Sequence, residues 1–149
     1  MQQAHNAHVL HWKRHVLCNS HIMRHPCWND NNNCTVKSLK NTFDISYPRA
    51  YEEAKRDGRP HGNGYSWGSY LRTVERLAKE RGLKVERIGR AKARRDYGKT
   101  IVTAQRRLGR GETAIFNVRG HTMSFRNGYT NDWADGRRHH IWEVWRLTS

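Results

Sequence analysis

The chain has no run of about 18 apolar residues, so none of its segments reads as a membrane-spanning helix. Cysteine is scarce: Cys18, Cys27 and Cys34 stand at irregular spacing, which makes a poor disulfide framework and suggests a reducing compartment. The N-terminus is rich in histidine and polar residues and lacks a continuous apolar core, so no secretory leader is expected. Acidic residues are few, with 13 Asp+Glu against 28 Lys+Arg and a formal charge of +15. A surface so basic favours nucleic acid, acidic proteins or anionic surfaces as partners, and says nothing about fold. No internal repeat interrupts the 149 residues, a length that suits one domain with a real core.

Two regions differ in character. Residues 1–33 hold six of the ten histidines and the polar run Asn29-Asp30-Asn31-Asn32-Asn33, with no persistent helical or strand period. From Cys34 onward the spacing becomes regular. Val36, Leu39 and Phe43 predict a short helix from Cys34 to about Phe43, for which Asn33 is a suitable N-cap. A second helix is expected from near Pro48 to Arg56, before Gly58. The glycines and proline of residues 59–64 mark a loop. Trp67, Tyr70, Leu71, Val74, Leu77 and Ala78 trace one side of a third helix closed by Gly82. Leu83–Ile88 alternates imperfectly as a strand, and a basic stretch with a short helix ending near Leu108 follows. Strands are expected at Thr113–Val118, Gly120–Phe125, Tyr129–Trp133 and Ile141–Leu147. Helices first and antiparallel strands last give an α+β architecture, the helices packed on a C-terminal sheet.

Asn127-Gly128 is a strong signal for a two-residue type I′ turn. Continued from Arg126 opposite Tyr129, its ladder pairs Phe125 with Thr130, Ser124 with Asn131 and Met123 with Asp132. Alternation then makes Asp132 the diagonal neighbour of His121, with Asn131 turned to the other face. Cys34 complements this pair, because a cysteine in the first turn of a helix sits at the positive end of the macrodipole, which favours thiolate. A thiolate nucleophile, a histidine base and an acidic orienter suit acyl transfer. The oxyanion would be held by the Cys34 backbone N–H plus a side-chain donor from the asparagine run, with Asn33 and Asn29 as candidates.

The segment Asn33-Cys34-Thr35-Val36-Lys37-Ser38-Leu39, with Tyr47 and Tyr51, Gly120-His121 and Asp132-Trp133, resembles small papain-like cysteine peptidase proteins of bacteriophages and prophages. The resemblance spans roughly residues 29–147. It implies a papain-like fold with Cys34, His121 and Asp132 as a catalytic triad, a protein or peptide substrate, no cofactor, and a place in the host cytoplasm or the virion. One departure is plain: such enzymes usually carry a glutamine shortly before the cysteine, and no glutamine occurs between Gln3 and Cys34. Either an asparagine substitutes or the oxyanion site is impaired.

Each residue also has a plainer explanation. Cys34 alone would pass for a small buried apolar residue, His121 for a core histidine, and Asp132 for a turn cap. Trp133, Trp142 and Trp145 read as core or interface residues. His15, Cys18, His21, His25 and Cys27 are zinc-type ligands, but their spacing fits no zinc motif and the apolar residues needed to fold around a metal are missing. With Met23 placed where a compact domain could begin, residues 1–22 are expected to be a disordered extension and 23–149 the hydrolase domain. Between Lys84 and Arg110 lie ten Lys or Arg and two acidic residues. Arg94, Arg95, Arg106 and Arg107 are the candidates there for nonspecific contact with nucleic acid. The sequence thus points to a thiol hydrolase, a peptidase or isopeptidase. The alternative is a catalytically inactive protein of the same fold that binds nucleic acid or serves as a phage accessory protein.

Overall fold

The computed structural model describes Asp30, residues 32–130, Asp132 and residues 138–149. The expected N-terminal extension, the His/Cys cluster, Asn29, Asn131 and Trp133 lie outside the described residues. Among the described residues, five helices and four strands follow in the order α1 (Cys34–Phe43), α2 (Tyr47–Arg56), α3 (Trp67–Glu80), β1 (Lys84–Ile88), α4 (Arg90–Tyr97), α5 (Ile101–Arg107), β2 (Thr113–Val118), β3 (His121–Arg126) and β4 (Ile141–Thr148). The fold is α+β. All pairings are antiparallel, in the order β1-β4-β2-β3, which puts β3 at an edge. No helix among the described residues is long and apolar enough to cross a membrane.

Helix boundaries follow local chemistry. Helix α1 buries Val36, Leu39 and Phe43 and stops at Asp44, whose left-handed backbone (φ 51°) returns its N–H to the Lys40 carbonyl. Ser46 and Ser66 cap α2 and α3, their hydroxyls accepting from the N–H of Arg49 and Ser69, and Pro48 occupies the first turn of α2. Asn33 stands at the N-cap position of α1 but does not cap through its side chain. Its amide points away from the helix, a correction to the sequence expectation.

Strand β2 is buried on both faces, so two cores form. Ile115 joins Trp145 and Leu147 under α1–α3, including Tyr70 and Leu39. Ala114, Phe116 and Val118 join Met123, Phe125 and Val144 on the opposite face under α4 and α5. Helix α4 was not expected, because its sequence offers only Ala93 and Tyr97 as buried apolar residues amid cations. The link to α5 is close: Gly98 has φ +89°, and a Cβ there would lie 2.8 Å from Thr103 Cβ.

The hairpin expected at Asn127-Gly128 is only partly present. Both residues have positive φ, as a type I′ turn requires, and Arg126 and Tyr129 exchange both backbone hydrogen bonds. Beyond that bridge neither Thr130 nor Asp132 is in a strand, and the rest of the strand expected at Tyr129–Trp133 lies outside the described residues. Strand β3 pairs instead with β2, Met123 facing Phe116 and Val118 facing His121 across the turn at Arg119-Gly120. Its outer edge is occupied by α1. Asn41 Nδ2 donates to the Ser124 carbonyl at 2.9 Å, and the backbone of Thr122 bonds the Cys34 sulfur.

Candidate active site

Cys34 opens α1, so its own N–H and those just after it have no partner within the helix and their dipoles converge on the sulfur. β3 starts beside it with His121, and the segment after the type I′ turn brings Asp132 to the far side of the ring. His121 Nε2 lies 2.8 Å from Asp132 Oδ1, with both side chains largely buried. The imidazole also hydrogen-bonds the Cys34 side chain. With Nε2 on Asp132, Nδ1 is the nitrogen left for the thiol. Three residues distant in sequence therefore form one connected chain. Asp132 meets His121 as expected, but through a loop and not through the cross-strand ladder from which the contact was inferred.

The electrostatics of the pair are complementary. Burial pushes the Cys34 thiol up, but bonds from His121, the Thr122 backbone and the Thr35 backbone, together with the imidazole charge, bring it below its ordinary value. Burial pulls His121 down, while hydrogen bonds to Asp132 and Cys34 and the charges of both raise it to about 9. Opposite shifts of this kind favour the thiolate–imidazolium form of the pair over thiol beside neutral imidazole.

The site opens into a cleft of about 1120 Å³ walled by Trp67, Trp142 and Tyr65. Trp142 is half exposed and stacks under the Arg90 guanidinium, 5.4 Å from the ring centre, so it belongs to the cleft and not the core. Trp145 is fully buried. Behind the cysteine, Asp30 and Asn32 are clamped to the loop after α2. The Arg59 guanidinium reaches Asp30 Oδ2 at 2.9 Å with both side chains buried, Gly62 N–H donates to Asp30 Oδ1 at 2.7 Å, and Asn32 Nδ2 donates to the Gly62 carbonyl. Asn33 Nδ2 donates to the Asp30 carbonyl at 3.3 Å and to Tyr47 Oη at 2.8 Å. Both of its amide hydrogens are thereby used within the protein, which removes it as the expected oxyanion donor.

Sequence reasoning overlooked Asn117. It lies in β2 with 1% of its surface exposed, lines the cleft, accepts the Thr122 hydroxyl at 2.7 Å through Oδ1, and leaves its buried Nδ2 without a partner. The available signal was a lone amide inside the apolar run Ala114-Ile115-Phe116-Asn117-Val118.

The four arginines proposed for nucleic acid sit on α4 and α5, whose apolar sides Ala93, Tyr97, Ile101 and Ala104 pack on the sheet. Arg95, Arg106 and Arg107 are exposed and Arg94 is partly so.

Comparison of the chain with known proteins finds no matching family model, no matching curated protein and no matching solved structure.

Proposed function

We propose that the chain is a papain-like thiol hydrolase, a peptidase or isopeptidase, of phage or prophage origin. The observation that carries this reading is the hydrogen-bonded series Cys34–His121–Asp132 at the base of an open cleft, with the thiol shifted down and the imidazole up. The Cys34 thiolate attacks the substrate carbonyl carbon, and the carbonyl electron pair moves to oxygen. The Cys34 backbone N–H at the head of α1 stabilises that oxyanion. Imidazolium gives its proton to the departing amine as the C–N bond breaks, leaving a thioester on Cys34 and a neutral His121. His121 then takes a proton from water. Hydroxide adds to the thioester, the acid leaves, and the thiolate–imidazolium pair returns. Asp132 holds the ring orientation throughout.

The test is the rate at which iodoacetamide alkylates Cys34 at pH 7 in the native chain and in His121→Ala. Fast alkylation that depends on His121 supports the hydrolase. A rate equal to that of a model thiol, unchanged by the substitution, refutes it.

A second reading rests on a separate observation, the fan of arginines on the outer side of α4 and α5, across the sheet from α1. It makes the chain an inactive member of the same fold that holds nucleic acid through phosphate contacts.

A further inference from the structure

Strand β4 carries an irregularity where it borders the cleft. Along an unbroken strand Ile141 and Val144 would lie on opposite faces, because side chains alternate and three positions separate them. Both are instead fully buried in the same core, under α4 and α5. The register accounts for this. Glu143 pairs with Asn117 of β2, but Ile141 pairs with the very next residue, Val118, so Trp142 is the extra residue of a β-bulge. Unbroken alternation would have put Trp142 on the core face with Val144. The bulge gives that place to Ile141 and turns the indole out into the cleft, where Trp142 is 51% exposed. Bulges beside active sites re-aim side chains in this way.

Among the described residues three large hydrophobic side chains are exposed, Trp67, Tyr129 and Trp142, and two of them line the cleft that holds Cys34. Both indoles are held before any ligand arrives. Trp67 rests on buried Trp145 with ring centres 5.2 Å apart, and its Nε1 donates to Glu143 Oε2. Trp142 lies under the Arg90 guanidinium. Rings fixed in this way lose little freedom on binding, as suits an anchor pocket. The charges nearby discriminate further. The two acidic residues that line the cleft, Glu143 and Asp132, are already engaged by Arg87 and His121. A lysine or arginine of the ligand would therefore meet the Arg90 cation with no unpaired carboxylate to hold it, and an acidic side chain would gain nothing from burial against the rings. At about 1120 Å³ the cleft exceeds the about 300–1,000 Å³ of small-molecule sites, so it suits a length of peptide.

We infer that Trp67 and Trp142 form a subsite for an aromatic side chain of the peptide substrate, with Trp142 as the specificity-determining residue. The substrate ring packs against the two indoles while its backbone runs along the cleft to Cys34. Aromatic pairs attract beyond the area they bury, which favours an aromatic occupant over an aliphatic one. This inference deepens the hydrolase reading and rests on it for the identity of the ligand as substrate.

The experiment reads binding without chemistry. The Cys34→Ala chain, labelled with ¹⁵N, is titrated with acetyl-Ala-Ala-X-Ala-Ala-amide peptides in which X is Phe, Ala, Lys or Glu. The Phe peptide is expected to bind at least about 10-fold more tightly than the other three, an advantage that burial of one large apolar side chain supplies. It should also move the indole N–H resonances of Trp67 and Trp142. Trp142→Thr, which keeps a residue that favours strands, should abolish the preference. Trp67→Ala should abolish it from the other wall, and serves if the first variant does not fold. Equal binding of the Ala peptide would overturn the subsite. So would a Lys or Glu peptide as tight as Phe, a Phe preference that survives Trp142→Thr, or no saturable binding of any peptide. Iodoacetamide alkylation of Cys34 in the native chain judges the hydrolase separately: a slow thiol beside an intact Phe preference would overturn the hydrolase and leave an aromatic-selective peptide-binding cleft.

Discussion

His121 Nε2 and Asp132 Oδ1 stand 2.8 Å apart although, among the described residues, a single bridge between Arg126 and Tyr129 is the strand pairing that joins their segments. The contact is made by an edge residue of β3 and a loop residue beyond a tight turn. It commits Nε2, turns Nδ1 toward Cys34, and supplies the leading favourable contribution to the raised His121 pKa. Orientation and charge are thus set by one bond.

Substitutions in this chain should rank by what each removes. Cys34→Ala is expected to abolish peptide hydrolysis. His121→Ala should lower turnover by about 10²–10⁴-fold, the range for losing a positioned acid–base group. Asp132→Asn should have a smaller effect, because a hydrogen-bond partner for Nε2 persists while the charge is lost. Initial rates on a fluorogenic peptide check the order. Asp132→Asn as damaging as Cys34→Ala would mean that Asp132 does more than orient.

How much of this was open to sequence reading depends on how local each determinant is. Helices α1 to α3 were legible because Val36, Leu39 and Phe43, then Ser46-Tyr47-Pro48, then Tyr70, Val74 and Leu77 carry period and cap within one segment. The type I′ turn at Asn127-Gly128 was legible for the same reason. That Thr130 and Asp132 are not in a strand was not legible, since the reason lies far away in sequence: Asn41 and Cys34 of α1 occupy the β3 edge that such a strand would need. Helix α4 hid because two buried apolar residues in eight give little periodicity, and its burial comes from the sheet beneath. The three catalytic candidates emerged from residue type and chain order. Asn117 did not, because its meaning depends on its neighbours in two other strands.

The pKa shifts fix a pH window. His121 is raised, so its contribution to folded-state stability is complete below its ordinary value near 6.5 and is lost as pH rises through about 9. Cys34 is lowered, so its contribution is present above the ordinary thiol value and is lost as pH falls through the depressed one. The ion pair therefore persists between the depressed thiol value and about 9. Peptide hydrolysis should be bell-shaped, with its alkaline limb near 9 where imidazolium loses its proton. Alkylation of Cys34 should already be fast below the normal thiol range, and in His121→Ala its midpoint should move up toward about 8.5. A midpoint that stays put would deny His121 its role.

The clamp behind the cysteine makes a stability prediction. Arg59 and Asp30 are both buried, and removing one partner leaves an uncompensated charge. Arg59→Met should cost about 3–5 kcal/mol by urea unfolding, and the double change Arg59→Met with Asp30→Asn should cost less than the single one. Equal losses would show that packing of the Arg59 stem, and not its charge, holds the loop.

The basic outer side of α4 and α5 can be judged by salt. Contacts to phosphates release counterions, so the affinity for double-stranded DNA should fall linearly with salt on logarithmic axes, by about 0.9 per phosphate engaged, and should ignore base sequence. Arg95, Arg106 and Arg107 are exposed, and the Arg107 guanidinium is tied to the Arg95 carbonyl at 3.3 Å, which holds two of these cations on one patch. Replacing Arg94, Arg95, Arg106 and Arg107 with Gln should flatten the slope by up to about four such increments while leaving Cys34 alkylation untouched, since α4 and α5 pack on the sheet face away from α1. Fluorescence anisotropy with a labelled duplex from about 50 to 200 mM salt makes the measurement, a span over which several phosphate contacts change affinity strongly. Binding absent at the low end would identify these arginines as a solvated face. Binding that persists with an unchanged slope in the fourfold variant would move the interface elsewhere on the chain.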